Sequence, residues 1–592
     1  MFCAKLLISI ALLGSLAQLS QAHDPLADSP LVKDWLAIMR GEKEDPAQPK
    51  LDTFVTIRNG TIKGKTAYTV GNHVMYEYLG VPYAKAPVGS LRFLPPQPSE
   101  GWGGAGVTFD ATKQPHACPQ YLTNVTIADE DCLFLSIYSR RYDNSTGLLP
   151  VIYFIHGGGY AVGQTSYYPG RKLLNEEVVF VTVQYRLGPL GFLCTEDDAV
   201  SANNAMKDMV QGLRWVQENI GAFGGDPNQV TVMGESAGSA SALYMLISPL
   251  AQGLFNKVIA MSGTPLQEWA IDRKPLESAR KIANLLNCTE TETGREIVAC
   301  LKDMDWMPMA QAGLAVILDE FMDFKMILSG STPCIEGDIP GAFLPDEPLK
   351  LLLEGPLPDV PVLLGTVQHE GTLPLIAAYF LKLGPEGLVN DTQYVRDYLV
   401  GDMLATYGVN ERRDGGSVSQ ALAAGYFPPG VNRQNFTEMQ YHLMDLLSAV
   451  FMKGPVLRTA DILSRRLSAV YLYSFEHYNR INSLFTLAFA IIEPILGGEK
   501  PPIRPGTMHA DDLIYMFDFP FILNLNDIAF SRKYCRMFTN FVLTGSPTPE
   551  PSEDYPDWPT YNIDTQQYMK LALNPEVKTD YMDSWRQGML PV

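Results

Sequence analysis

Short, continuously apolar segments alternate with a helical pattern through the middle of the chain. Between residues 206 and 220, apolar side chains recur every three or four positions, as on the buried face of a helix. The apolar segments lie at residues 150–155, 178–183, 229–233, 257–263, 361–367 and 469–475. Because these segments are apolar throughout, we expect the sheet that they form to be covered on both faces. Strand and helix in alternation predict an α/β fold with a mostly parallel sheet.

The chain is long enough for several domains, but nothing in it marks a boundary after residue 53. Hydrophobic residues make up 46% and charged residues 19%, which is enough apolar material for a large core and too little charge for a disordered chain. No repeat, low-complexity block or linker is evident. We therefore predict a single domain over residues 53–592.

The N-terminal residues have the composition of a cleaved secretory signal. Residues 1–22 contain one lysine, an apolar stretch and a Ser-Gln-Ala sequence before His23. The apolar stretch is shorter than the ~20 residues that a membrane-spanning helix needs. Residues 23–52 are rich in proline and charge, and we expect a partly disordered leader. The C-terminus shows neither a retention tetrapeptide nor a hydrophobic tail, so we expect a secreted, extracellular protein without a stable membrane anchor.

Cysteines and glycosylation sequons agree with an oxidising compartment. Cys118 and Cys132, like Cys288 and Cys300, are close enough in sequence to close short loops. Three further cysteines are predicted to be buried thiols: Cys194, Cys334 and Cys535. Six Asn-x-Ser/Thr sequons are predicted glycosylation sites: Asn59, Asn124, Asn144, Asn287, Asn390 and Asn435.

The charge excludes two classes of partner. The formal net charge is −20 and the pI is near 4.9, with no compensating run of lysine or arginine. Nucleic acid and anionic membranes would be repelled by such a surface. The acidic side chains are scattered, which favours a solvated surface over a binding patch, and the sequence gives no indication of oligomeric state.

A Gly-Glu-Ser-Ala-Gly sequence at residues 234–238 lies where a predicted strand gives way to a predicted helix. This G-x-S-x-G pattern is typical of a nucleophile elbow. Glycines are needed there because a Cβ would clash in so tight a turn. The turn would present the Oγ atom of Ser236 at the carboxyl end of the sheet. Alone, the pattern could also be a glycine-rich turn with a solvent-facing serine.

A run of three glycines follows the predicted strand at residues 150–155. The sequence FIHGGGY resembles the loop that supplies backbone N–H donors in esterases and lipases. We expect the amides of Gly158, Gly159 and Ala237 to converge on an oxygen that becomes negative as an acyl carbon turns tetrahedral. The alternative is a flexible glycine turn.

A serine nucleophile needs a base, and four histidines follow Ser236: His369, His442, His477 and His509. In α/β-hydrolases the chain order is nucleophile, acid, histidine. His509 lies in a loop bounded by proline and glycine and is the preferred base. His477, after a predicted strand, is the second choice. His442 has helical surroundings, which favour a packing or surface role.

The acid is predicted to be Glu370, which follows the strand at residues 361–367 and precedes a glycine. A carboxylate there can accept a hydrogen bond from imidazole Nδ1–H. Asp226 is excluded by chain order, and Asp511 and Asp512 are disfavoured because they are too near His509 in sequence. A surface loop acid is the alternative for Glu370. Activity is expected to fall below pH ~6.5 as His509 becomes protonated, and no metal or organic cofactor is needed.

At these residues the chain resembles the type-B carboxylesterase family, which includes cholinesterases, juvenile hormone esterases and catalytically inactive neuroligin-type adhesion proteins. The resemblance extends from about residue 54 to the C-terminus. The matching stretches are GVPYAKAPVGSLRFLPPQP (80–98), EDCLFLSIY (130–138), HGGGY (156–160), QYRLGPLGFL (184–193), WVQENIGAFGGDPNQVTVMGESAGS (215–239), HEG (369–371) and HADDLIYMF (509–517).

The resemblance implies an α/β-hydrolase fold with long insertions and the same triad that the residues indicate. It implies Ser236 as nucleophile, Glu370 as acid and His509 as base. The other implied features are the oxyanion donors Gly158, Gly159 and Ala237, the disulfides Cys118–Cys132 and Cys288–Cys300, and a supporting role for Ser262.

We expect a small-molecule ester substrate of hydrophobic character, and departures from the family pattern narrow the choice of ester. No tryptophan lies between Cys118 and Cys132, where cholinesterases carry one to stack on quaternary ammonium, so choline esters are disfavoured. Juvenile hormone esterases commonly have glutamine at the position of Glu235, and their Asp-Gln pair corresponds to Asp208 and Met209 here. Both differences argue against hormone specificity. The apolar stretch at 482–498 is either a substrate-pocket wall or a core helix. Lipase or hormone-esterase specificity and a non-catalytic adhesion protein are the alternatives.

Overall fold

The computed structural model describes residues 52–102, 107–121, 128–141, 147–197, 199–322, 328–405, 421–422, 424–427, 430–479, 483, 502–519 and 523–583. Four predictions therefore fall outside the described residues. They are the signal at 1–22, the leader except for Asp52, the sequons Asn124 and Asn144, and the apolar stretch 482–498 except for Ser483.

The described strands form one sheet. They are β1 (Asp52–Ile57), β2 (Gly60–Tyr68), β3 (Val74–Pro82), β4 (Thr108–Asp110), β5 (Phe134–Ser139), β6 (Leu149–Ile155), β7 (Val179–Val183), β8 (Gly225–Glu235), β9 (Lys257–Met261), β10 (Val362–Val367), β11 (Val470–Phe475), β12 (Tyr568–Leu571) and β13 (Glu576–Lys578). Their order is β1-β2-β3-β5-β7-β6-β8-β9-β10-β11-β12-β13, with β4 beside β2.

The sheet is parallel at its centre and antiparallel at its ends. Every neighbouring pair from β7 to β12 is parallel. Antiparallel pairs join β1 to β2, β2 to β3, β3 to β5, β5 to β7 and β12 to β13. The predicted α/β class with a mostly parallel central sheet is confirmed. Strands β1 to β5 were not predicted. In β1 exposed positions recur at every second residue, and in β2 buried positions alternate with partly buried ones, so neither strand is apolar throughout.

Helices flank the sheet between the strands. They are α1 (Gly188–Phe192), α2 (Asn204–Asn219), α3 (Ala237–Ile247), α4 (Pro275–Leu285), α5 (Gly294–Leu301), α6 (Trp306–Met322), α7 (Pro348–Glu354), α8 (Thr372–Ala378), α9 (Thr392–Asp397), α10 (Leu399–Ala405), α11 (Phe436–Ser448), α12 (Gly454–Leu463), α13 (Leu513–Met516) and α14 (Leu525–Thr544). Helix α2 confirms the helix predicted over residues 206–220. Among the described residues, no helix combines the length and apolar character that crossing a membrane requires.

The parallel register brings the carboxyl ends of the central strands to one edge. Ile155 at the end of β6 pairs with Gly234 near the end of β8, and Glu235 pairs with Met261 of β9. Val367 at the end of β10 pairs with Phe475 of β11. The glycine loop, the serine turn and the segment that carries Glu370 therefore leave the sheet at the same edge, where ligands bind in open α/β sheets.

Three disulfide bonds are present in the described residues. Cys118–Cys132 and Cys288–Cys300 are formed, as the resemblance implies. The third bond joins Cys194 to Cys334, so the prediction that these two are thiols is wrong. They are 140 residues apart. The segment that follows Cys194 also contacts Cys334, since the side chain of Asn203 accepts from its N–H and donates to its C=O. Cys535 is a buried free thiol, as predicted.

Candidate active site

Ser236 occupies a strained turn between β8 and α3. Its φ and ψ angles are 58° and −122°, in a region that non-glycine residues rarely adopt. A Cβ on Gly234 would overlap the backbone of Gly238, and one on Gly238 would overlap the carbonyl oxygen of Ile155. The turn therefore needs glycine at both positions for the steric reason inferred from the sequence. Ser236 itself is only partly buried, so its side chain can be reached.

The glycine loop after β6 packs directly against this turn. A Cβ on Gly157 would lie 3.0 Å from the Cβ of Ser236 and 2.6 Å from Oε2 of Glu235. The carbonyl oxygen of Gly158 accepts hydrogen bonds from the N–H groups of residues 161 and 162, both at 3.1 Å. Gly158 and Gly159 have φ angles of +106° and +60°. The loop is thus a hydrogen-bonded turn and not the flexible alternative.

Ala237 is the first residue of α3, immediately after Ser236. The first N–H groups of a helix have no acceptor within the helix, so they are available to a ligand. A helix N-terminus also favours negative charge.

Glu370 and His509 meet although 139 residues separate them. His509 Nδ1 lies 2.7 Å from Glu370 Oε2. The other oxygen, Glu370 Oε1, accepts a hydrogen bond of 3.0 Å from the N–H of Val367 at the end of β10. Both side chains are buried. The carboxylate is held from two sides, and it fixes the orientation of the imidazole.

The other candidate bases make different contacts. His477, the second choice, has its Nε2 atom 3.0 Å from Asp527 Oδ1 and its ring stacked on Phe530. His442 lies on α11, in the helical surroundings that the sequence indicated. His369 is buried beside Glu370 and bonds the backbone near His509.

Two further carboxylates surround His509, and the sequence analysis assigned neither to the site. Glu235 Oε1 lies 3.2 Å from His509 Nε2. Asp512, dismissed because it is close to His509 in sequence, is fully buried and acts electrostatically on Glu235, His509 and the hydroxyl of Tyr534. Glu235 is the last residue of β8, immediately before Ser236, but the direction of its side chain is decided by the fold.

These carboxylates change the acid–base properties of the imidazole. Burial alone would lower the pKa of His509, but the carboxylates of Glu370 and Glu235 outweigh it and raise that pKa to about 9. The pKa of Glu235 is raised to about 8, chiefly by burial. The positive charge of His509 opposes this rise, and the nearby carboxylates of Asp512 and Glu370 add to it. Burial and Glu370 raise the pKa of Asp512 to about 7. With this raised pKa, we expect activity to fall as His509 becomes protonated at a pH above the ~6.5 of an ordinary histidine.

Ser262 lies behind the serine turn, at the end of β9. It is fully buried with a φ angle of 58°, and its N–H donates to the carbonyl oxygen of Gly365 at 2.9 Å. Its Oγ atom has no hydrogen-bond partner within the described residues. Over the same residues, no group of three or more His, Cys, Asp or Glu side chains is arranged to hold a metal ion.

Comparison with known proteins identifies the family. The model of the carboxylesterase family matches residues 51–585. The chain is 32% identical over 509 residues to esterase E4 of Myzus persicae, which covers 84% of this chain and 87% of that protein. It is 30% identical over 581 residues to cocaine esterase of Homo sapiens, which covers 94% of each chain. Because the family model spans almost the whole chain and the sheet has the parallel centre of an α/β-hydrolase, this protein belongs to the carboxylesterase family.

Proposed function

We propose that this protein hydrolyses carboxylic esters through a covalent acyl-enzyme on Ser236, with His509 as base and Glu370 as acid. The observation that carries the proposal is the 2.7 Å contact between His509 Nδ1 and Glu370 Oε2. It lies at the sheet edge where Ser236 is presented, and His509 Nε2 reaches the residue next to that serine.

The reaction has two halves that use the same groups. His509 Nε2 removes the proton from Ser236 Oγ, and Oγ attacks the ester carbonyl carbon. The tetrahedral intermediate collapses, the acyl–oxygen bond breaks, and the leaving alcohol takes the proton from His509. Water then attacks the acyl-enzyme and loses a proton to His509, and as the bond between Ser236 Oγ and the acyl carbon breaks, His509 returns that proton to Oγ and the acid is released. The amides of Gly158, Gly159 and Ala237 stabilise the negative oxygen in both halves.

Hydrophobic esters fit the surroundings of the glycine loop. A side-chain atom of Leu328 lies 3.2 Å from where a Cβ on Gly159 would be. The residues that follow the glycines, Ala161 and Val162, pack with further apolar side chains, which include Leu190 and Leu314. Burying an apolar group against such side chains contributes about 0.8 kcal/mol per methylene. The apolar character of this loop supports a hydrophobic acyl or alcohol group over a charged one.

A series of p-nitrophenyl esters tests the function and its substrate class. We expect turnover of every ester from acetate to hexanoate, with kcat/KM rising along the series because each methylene is buried in an apolar pocket. A fluorophosphonate probe should label one serine in the same preparation. A folded protein that neither turns over these esters nor takes the label would contradict the proposal and would favour the non-catalytic adhesion role.

Replacing Glu235 with glutamine is expected to move the acid limb of the pH profile downward. The reaction needs neutral His509, and a carboxylate 3.2 Å from Nε2 stabilises the protonated form. Removing that charge lowers the pKa of His509, so neutral imidazole persists to lower pH. We expect a shift of about 1 to 3 units in kcat/KM against pH, the size of a close charge–charge effect.

Glu336→Gln is the matched control for that experiment. It makes the same change at a buried glutamate that pairs with Lys207 instead of His509. Its pH profile should coincide with that of the unmodified protein. An acid limb that stays in place in E235Q, or moves equally in both variants, would refute the role given to Glu235.

We also propose that the protein is secreted and N-glycosylated, on the basis of its signal-like N-terminus and its disulfides. Asn287 and Asn390 are exposed and make no side-chain hydrogen bond within the described residues. The Nδ2 atom of Asn59 donates to Ser99 O at 2.7 Å, and that of Asn435 donates to Glu438 Oε1 at 3.0 Å. We therefore expect Asn287 and Asn390 to be glycosylated most completely.

Expression in a secretory cell line provides the measurement. Peptide-N-glycosidase in heavy-oxygen water should mark Asn287 and Asn390 in protein recovered from the medium. Retention of the full-length chain inside the cell, or unmarked asparagine at both positions in secreted protein, would contradict this proposal.

A further inference from the structure

Two segments carry the proposed acid and base, and several contacts join them. The acid segment, residues 369–372, follows β10, and the base segment, residues 505–509, precedes α13. Besides the Glu370–His509 contact, the N–H of His369 donates to Thr507 O at 2.9 Å. Thr372 Oγ1 donates to Pro505 O at 2.6 Å. The separation of the two segments is therefore fixed by more than the triad itself.

The side chain of His369 supplies a further contact. Its Nδ1 atom accepts a hydrogen bond of 2.9 Å from the N–H of Thr507, two residues before His509. The ring is buried, and its Nε2 atom has no hydrogen-bond partner within the described residues. Because Nδ1 accepts from a backbone N–H, it carries no proton, so the ring is the neutral tautomer with hydrogen on Nε2.

The surroundings of the ring keep it neutral. Burial, together with the nearby cation of Lys453, lowers the pKa of His369 to about 3. Glu370 is the next residue, and its carboxylate is turned to His509 and the N–H of Val367. His369 can therefore accept the Thr507 hydrogen bond throughout the pH range in which His509 titrates.

The backbone of the base segment lies very close to the His369 ring at Gly506. Gly506 has a φ angle of +60°, and a Cβ there would overlap Nδ1 of His369. A glycine immediately before Thr507 lets the imidazole approach the Thr507 amide closely. Thr507 is itself fully buried, so its N–H would have no water to replace a lost acceptor.

We propose that His369 is a positioning residue for the reaction: its Nδ1 atom holds the Thr507 amide and thereby sets the distance between Glu370 and His509. This inference rests on the proposed ester hydrolysis. The acid segment is anchored independently, since the N–H of Gly371 donates to Ser448 Oγ at 2.8 Å. Loss of the imidazole acceptor therefore leaves the acid in place and releases the Thr507 amide, so that the end of the base segment that carries His509 can shift.

The test compares two substitutions that differ in one property. His369→Leu fills the space but removes the acceptor, whereas His369→Asn places Oδ1 near the position of Nδ1 and keeps it. We expect H369L to lower kcat by about 10²-fold with KM little changed, since a misplacement near 1 Å can cost that much. H369N should retain most of kcat. His442→Leu, on α11, is the control for replacing a histidine by leucine.

A second readout does not depend on turnover. The proton on His509 Nδ1, shared with a carboxylate, gives a far-downfield proton NMR resonance, which can be assigned by its loss in Glu370→Gln. We expect this resonance to shift or broaden in H369L and to stay in place in H369N and H442L. A purely structural contribution of His369 would lower the melting temperature without moving the resonance.

The outcomes separate this inference from the proposed function. If the unmodified protein fails to hydrolyse esters but H369L alone moves the resonance, the function is wrong and the role of His369 stands. If H369L leaves both the resonance and kcat unchanged, or H369N is as impaired as H369L, the inference is overturned. His369→Ser, which also lacks the acceptor geometry, replaces H369L if that variant does not fold.

Discussion

Ser236→Ala is expected to lower kcat by about 10⁶-fold while the protein stays folded, the scale seen when a triad nucleophile is removed. The alanine methyl group cannot attack a carbonyl carbon, and no acyl-enzyme can form. The change should not disturb the turn, because the strained backbone at Ser236 is imposed by the close packing of Gly234 against Gly238. Residual hydrolysis would come from the amides that stabilise the oxyanion.

Two measurements check this prediction. Single-turnover hydrolysis of p-nitrophenyl butyrate gives the rate, and mass spectrometry of fluorophosphonate-treated protein locates the label. Ser278→Ala is the control, since among the described residues Ser278 Oγ donates to Lys274 O, just before α4, and makes no contact with the candidate site. A label that persists in S236A, or turnover within tenfold of the unmodified rate, would mean that another residue is the nucleophile.

The central half of the sheet could be predicted because its strands are buried on both faces. Strands β6 and β7 are buried at every position, so each appears in the sequence as an uninterrupted apolar run. At the N-terminal edge, by contrast, β1 has exposed residues at alternate positions and only two buried ones. A short, half-exposed strand carries little signal in a single sequence, because its pairing with distant strands and not its own pattern stabilises it.

The site was predictable to the extent that chain order and loop chemistry determine it. The glycines around Ser236 and the strand that ends before Glu370 are visible in the sequence. Both residues were predicted from these features, and the structure brings them to the same edge of the sheet. Proximity of Glu235 to His509 was missed, since the sequence shows neither which way a buried carboxylate points nor what lies across the turn. The same limit hid the pairing of Cys194 with Cys334, which depends on contacts between segments 140 residues apart.

The surroundings of His509 show why an unperturbed pKa does not apply in such a site. The sequence supports only the ordinary histidine pKa of ~6.5. Burial by itself lowers the pKa of His509, but the carboxylates of Glu370 and Glu235 outweigh it and raise that pKa to about 9. The sign of the shift is decided by the two carboxylates, and their distances to the ring come only from the fold.

Glu370→Gln is expected to reduce kcat by about 10⁴-fold, as loss of the carboxylate does in other serine hydrolases. Glutamine has nearly the same shape as glutamate, but it has one acceptor oxygen where glutamate has two. Glu370 now accepts from His509 Nδ1 at 2.7 Å and from Val367 N at 3.0 Å. An amide has one oxygen, so it can accept only one of these bonds without turning its NH₂ group toward the other donor.

Either orientation of the glutamine impairs the base. If the glutamine oxygen accepts from the N–H of Val367, its NH₂ group faces His509 Nδ1 and donates to it. The imidazole proton then lies on Nε2, and a protonated Nε2 cannot accept the proton of Ser236. With the oxygen on His509, a buried N–H of Val367 faces NH₂ and the amide is pushed out of place. Loss of the anion also lowers the pKa of His509, so the remaining activity should have its acid limb at lower pH. Measuring kcat against pH for E370Q checks both effects, and a kcat within tenfold of the unmodified value would exclude Glu370 as the acid.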